Sequence, residues 1–208
     1  MPASRLVTVD DWPEAELRAA VLAGDLMPVG ACWASVAEPH DPALRAGSFA
    51  WSVGDGRVIA SGRSAAWIWG ARSRPPLPHD ACVRAGERVR QGGGERIREI
   101  AIEDEDLVLV AGTTVTTPLR AALDLLRAAG PRDWADRTEA VSGLLAVCGV
   151  TVDQVRERLD RLGTVPMVRQ AERRLAELDA AATTTAVSAS PTATAASRGT
   201  GPVPLSRR

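Results

Sequence analysis

Residues 107–127 constrain the fold more than any other stretch of this chain, because the period of their side chains changes partway along. Leu107 to Val110 is a short apolar run of strand length, and Ala111-Gly112 interrupts it. Thr113 to Thr116 is β-branched at every position and reads as a second strand. The period then becomes helical. Thr117 can accept from the orphan amides of a first turn, and Pro118 suits the first helical position because the N–H it lacks is not needed there. Leu119, Ala122, Leu123 and Leu126 recur on one face, Arg120 and Asp124 sit four apart, and Gly130 with Pro131 ends the run. A hairpin feeding a helix places the chain in the α+β class.

A second patterned stretch lies upstream, Ser61-Gly62-Arg63-Ser64-Ala65-Ala66-Trp67-Ile68-Trp69-Gly70. Together with Gly112 to Leu125, which fits G-x-x-V-T-T-P-x-R-x-A-L-D-L, it resembles the AbiEi family of antitoxins from type IV toxin–antitoxin systems, in its actinobacterial form. The likeness runs as a succession of elements over residues 10–178. It implies that Ser61, Ser64, Gly70, Thr116, Thr117, Pro118, Arg120 and Asp124 are family motif positions with structural roles. It also implies an N-terminal winged helix-turn-helix, binding to the promoter of the protein's own gene, and opposition to a nucleotidyltransferase-type toxin. Neither motif is catalytic. An endonuclease-like domain of the PD-(D/E)XK type, common in actinobacterial relatives, is not expected, because Leu178 leads into low-complexity sequence and the signature lysine is missing.

That missing lysine has wider consequences. All 25 basic residues are arginine. Walker-type phosphate binding, Schiff-base chemistry and the protein-kinase ion pair each need a lysine ammonium. Arginine stays protonated and cannot replace lysine as a titrating base. Cys32, Cys82 and Cys148 are odd in number and widely spaced, which suits free thiols in a reducing cytoplasm. No apolar run has membrane-spanning length, and the N-terminus lacks the pattern of a signal peptide.

Charge is uneven along the chain. Residues 1–55 hold three arginines against eight acids, whereas residues 57–98 hold nine arginines against three acids. Such asymmetry speaks to partners rather than to fold.

Taken in order, Asp11 and Glu14 have capping-box spacing ahead of a short helix that ends at Gly24. Leu26 to Ala34 reads as a strand pair broken at Pro28 and Gly30. Helix plus ribbon is what remains of a winged helix, yet the ribbon from Met27 to Trp33 carries no basic residue, and arginine or lysine contacts to phosphate normally dominate DNA affinity. Asp41-Pro42 opens another helix, with Leu44, Phe49 and Trp51 as expected core. Ser61 is expected to cap a helix that stops at Gly70. Trp67 and Trp69, two apart, cannot share its face, so one is core and the other rim or interface.

Cys82 to Arg90 and Glu95 to Ile102 flank Gln91-Gly92-Gly93-Gly94. The triple glycine reads as a hairpin tip, since no helix suited to a phosphate loop follows it. The flanks carry Arg84, Arg88, Arg90, Arg96 and Arg98. These form either a solvated face balanced by Glu87, Glu95 and Glu99, or an anion-binding ribbon for nucleic acid or an acidic partner. Glu103 to Asp106 reads as a solvated acidic loop, because alternating strand directions and the lack of a glycine turn do not wrap carboxylates around a cation.

His79 and Cys82 read as a turn histidine and a buried thiol; three or four converging ligands would be needed for zinc. Helices follow at about residues 132–147, from Thr151 with a Thr151/Gln154 capping box, and through Val168, Ala171, Leu175 and Leu178. From residue 181 the composition collapses to Ala, Thr, Ser, Gly and Pro and predicts a disordered tail.

The expected organisation is thus α+β: a reduced winged-helix-like unit over 1–55, an α+β domain over 56–180, and a tail over 181–208. The expected function is an antitoxin-like, DNA-binding transcriptional regulator without enzymatic activity, metal or cofactor. The alternative is a non-enzymatic interaction module of the same fold that has lost DNA binding.

Overall fold

The computed structural model describes residues 5–89, 95–130, 133–163 and 165–188. The fold is α+β. The first unit comprises α1 (Glu14–Ala23) and a two-stranded ribbon, β1 (Leu26–Val29) and β2 (Cys32–Ser35). Val7 bridges to Trp33 and adds a rudimentary third strand. The expected box at Asp11 does not form: Pro13 occupies the N-cap position of α1 with no side-chain cap, and the Asp11 carboxylate accepts from the Thr8 amide and hydroxyl at 2.8 and 2.9 Å. Pro28 does not break the ribbon; it lies within β1, opposite Trp33.

Helix α2 (Pro42–Val53) starts where expected, with Asp41 accepting from the Leu44 amide at 2.8 Å. Leu44 and Phe49 are buried, but Trp51 is 37% exposed and its indole N–H reaches Asp10 at 3.2 Å. Trp51 is therefore rim rather than core.

The main sheet runs β5-β4-β3-β7-β6, built from β3 (Ile59–Ala60), β4 (His79–Arg84), β5 (Glu95–Ile100), β6 (Leu107–Val110) and β7 (Thr113–Thr116). Strands β6 and β7 form the expected hairpin. Its Ala111-Gly112 turn has positive φ at both residues, 49° and 85°, the combination that matches strand twist in a two-residue loop. Strands β4 and β5, in contrast, do not form a hairpin around the glycines. They pair in parallel, His79 opposite Glu95 through Arg84 opposite Ile100. Parallel neighbours need a crossover rather than a tight turn, and residues 90–94, the glycines among them, lie outside the described residues.

The remaining helices are α3 (Gly62–Ile68), α4 (Pro118–Arg127), α5 (Trp134–Val147), α6 (Val152–Leu162) and α7 (Val168–Ser188); α3 packs on β4 and β7, α5 packs on α3 and α4, and α6 and α7 pack on α4. Thr117 caps α4 through Oγ1, which accepts from the Arg120 amide at 3.2 Å. The Thr151/Gln154 capping box on α6 forms in both directions. One core joins Val29 and Ala34 of the ribbon, Leu44 and Phe49 of α2, Leu123 and Leu126 of α4, and Leu175 of α7. The ribbon and α2 thus share a core with the C-terminal helices. Helix α7 continues to Ser188, so the segment 181–188 is helical where a disordered tail was expected; residues 189–208 lie outside the described residues. No described helix is long and apolar enough to cross a membrane.

Candidate nucleic-acid interface

The two motif stretches meet at the centre of the sheet. Strands β3 and β7 pair in parallel at Ala60 and Val115, which brings Ser61 and Thr116 to the same end. Both residues are fully buried. Ser61 lies beside the Cys82 thiol, which burial pushes up to about 11. Ser64 Oγ accepts from the Asp80 amide at 2.9 Å and lies 3.2 Å from His79 Nδ1. Trp67 is core, whereas half-buried Trp69 donates its indole N–H to the Thr116 carbonyl at 2.8 Å. Gly70 ends α3 with a φ of 87°. Pro118 opens α4.

Arg120 and Asp124 belong to a buried ionic network. Asp124 takes Arg120 Nε at 3.1 Å on each oxygen, and Arg120 Nη1 reaches Asp106 at 2.6 Å. Burial raises the Asp124 carboxyl above its usual range even against the Arg120 and Arg98 charges. Asp106 also meets Arg158 at 3.3 Å. The acidic run is solvated as expected from Glu103 to Glu105, but Asp106 is only 6% exposed. Its burial follows from the short 3-10 turn Asp104–Asp106, which rotates one carboxylate inward toward the two guanidiniums.

A second network lies on the α3 side. Arg63 pairs with Asp80 and with Asp136, each at 2.7 Å, and Arg72 reaches Asp136 at 2.6 Å. Hydrogen bonding to Asp80, the largest influence, holds the Arg63 guanidinium well above its ordinary value. Two more arginines are buried in the helical layer. Arg174 donates to the carbonyls of Leu126, Ala128 and Gly130, and Arg137 to those of Ala129 and Gly130. The Arg174 guanidinium also lies 4.3 Å from the centre of the Trp134 ring. Sequence reasoning misses both buried roles, although a signal exists: Arg137 and Arg174 occupy helical positions in line with Val141 and Leu144, and with Ala171, Leu175 and Leu178.

The arginines of the expected anion-binding ribbon divide. Arg84 is held by Asp104 and by the Ile102 carbonyl at 3.4 Å. Arg88 is exposed. Arg90 lies outside the described residues. Arg96 and Arg98 are exposed, two apart on the same face of β5, an edge strand. Neither Arg88, Arg96 nor Arg98 makes a hydrogen bond or ion pair among the described residues. Arg96 and Arg98 line a cleft of about 110 Å³ whose walls include Arg63, Asp80, Asp124 and Arg137. Open guanidiniums of this kind match phosphate geometry.

The N-terminal unit is the opposite case. Its three arginines are all engaged: Arg5 with Glu38 and Asp41, Arg18 with Glu14, and Arg45 with the Trp67 carbonyl. Among the described residues no three His, Cys, Asp or Glu side chains gather as a metal-binding group.

No family model matches this chain, and no curated protein does. Among solved structures it is similar to the RV2827C protein from Mycobacterium tuberculosis, at a TM-score of 0.43 and 19% identity over 85% of this chain and 72% of that one.

Proposed function

We propose that this protein is an antitoxin-like, cytoplasmic transcriptional regulator that grips DNA phosphates through the β5 edge, at Arg96 and Arg98, with the exposed Arg88 as a further contact, rather than through its helix and ribbon. One observation carries the reading: the arginines of residues 1–55 are already hydrogen-bonded or ion-paired, while those of β5 are exposed with no hydrogen bond or ion pair among the described residues. The family resemblance supplies the target, the DNA upstream of its own gene, and the role, restraint of a nucleotidyltransferase-type toxin through transcription.

A salt titration of binding to that upstream DNA tests the proposal. Each phosphate contact removed lowers the slope of log affinity against log salt by roughly 0.9. Arg96→Ala/Arg98→Ala is expected to flatten the slope, and Arg18→Ala on α1 to leave it unchanged. A loss confined to Arg18→Ala would return DNA binding to the winged-helix surface.

The acidic exposed face of α1, with Glu14 holding Arg18 at 2.7 Å, favours a second reading. It is an interaction module that has lost DNA binding. Wild-type protein that fails to bind at low salt would support it.

A further inference from the structure

The two edges of the main sheet are protected very differently. Strand β5 carries Glu95, Arg96, Arg98 and Glu99, and charges of this kind discourage further strand pairing. Strand β6 is Leu-Val-Leu-Val. Leu109 is 71% exposed and Val108 39%, with no charged residue in the strand. The hairpin turn decides which backbone groups face outward. In a two-residue turn the flanking residues, Val110 and Thr113, form a hydrogen-bonded pair, and so do Val108 and Val115. Leu109 therefore directs both its N–H and its C=O away from β7.

We propose that β6 is a homodimer interface, pairing antiparallel with β6 of a second copy so that Leu109 faces Leu109 across a two-fold axis. Three features select a second copy as the occupant. Val108-Leu109-Val110 reads identically in both directions, as an isologous interface requires. A two-fold axis normal to the sheet lets only residues on the same face oppose each other. Centring on Leu109 meets that condition, sets Val108 against Val110 of the second copy, and joins the outward N–H and C=O groups in a reciprocal pair. The acidic run Glu103 to Asp106 lies at one end of the strand. Antiparallel pairing sends the two runs to opposite ends, whereas parallel pairing would set the six exposed carboxylates, Glu103 to Glu105 of each copy, side by side. The dimer stands independently of the nucleic-acid reading, since it uses the edge opposite β5.

The test uses the full chain. Sedimentation of the wild type from micromolar to near-millimolar loading is expected to show reversible dimerisation. Leu109→Lys, a change at an exposed position, is expected to remain monomeric, with an unaltered thermal midpoint at loadings where the wild type is itself monomeric. In a Cys148→Ala background, Leu109→Cys is expected to give a covalent dimer under mild oxidant. Facing residues of a hydrogen-bonded pair have Cα atoms about 5.5 Å apart, within disulfide reach. Val108→Cys, whose counterpart is Val110, is expected to cross-link far more slowly. A monomeric wild type overturns the proposal. So does a dimer that survives Leu109→Lys, or equal cross-linking through Val108→Cys, since either puts the contact elsewhere or in another register.

Discussion

Arg174 reaches from α7 to the end of α4, where its Nη1 lies 2.7 Å from the Leu126 carbonyl oxygen. The same nitrogen is 2.7 Å from the Ala128 oxygen, and Nη2 is 2.9 Å from that of Gly130. A helix C-terminus leaves its last carbonyls without partners and carries a partial negative charge. Here one guanidinium, on a residue 7% exposed, answers both needs from a helix 48 residues away in sequence.

Arg174→Met keeps much of the hydrocarbon stem and removes the donors, stranding the carbonyls. We expect a loss of about 1–3 kcal/mol in urea unfolding, the range for an unsatisfied buried polar group. A change within error would mean that water replaces the guanidinium.

Gly143 reverses an ordinary expectation. Glycine to alanine inside a helix normally stabilises by about 1 kcal/mol. A Cβ at residue 143 would stand 2.1 Å from the backbone oxygen of Ala71, where no side chain can give way. Gly143→Ala should destabilise by about 1–3 kcal/mol through overpacking. A raised thermal midpoint would show that α5 does not approach Ala71 this closely.

Leu123 and Thr117 act on the same helix at different scales. Leu123 is 2% exposed, so Leu123→Ala should cost about 2–5 kcal/mol by lost burial and a cavity. Thr117→Ala removes only a cap and should cost about 1 kcal/mol. Chemical denaturation of both variants checks the order, and equal costs would contradict the packing of α4.

His79 ties stability to pH. It is 3% exposed between Phe49 and Trp67, and burial lowers its pKa against the opposing pull of Asp80 and Glu95. The unfolded chain takes up this proton near pH 6.5, before the folded chain does. The stability is therefore fully present above that value and is lost as pH falls toward the lower folded value. His79→Gln should flatten the dependence between about pH 7.5 and 5.5. His40, also lowered by burial, remains in both proteins as the internal control. Identical slopes for wild type and variant would remove His79 from the account.

Much of the local structure was legible because it rests on local rules. The residue 107–127 hairpin and helix, the Asp41 and Thr117 caps and the Thr151/Gln154 box were all readable from turn chemistry, capping oxygens and side-chain period. Each depends on residues within a few positions of one another. The candidate interface was legible in part: β-strand alternation puts Arg96 and Arg98 on one face, and an excess of arginine over acids marks the region.

Pairing partners were decided only in three dimensions. Nothing in Cys82 to Ile102 distinguishes a hairpin from a parallel pair, because both satisfy the same strand pattern and differ only in the path between them. Likewise, the sequence shows Arg120 and Asp124 as a helix pair, but only the fold brings Asp106 and Arg158 to them. The fold also occupies Arg5, Arg18 and Arg84 with carboxylates and leaves Arg96 and Arg98 open. Local sequence sets which residues can form an element and which can carry charge. Whether a charge is spent inside the molecule or presented outside depends on long-range packing, which no short window of sequence contains.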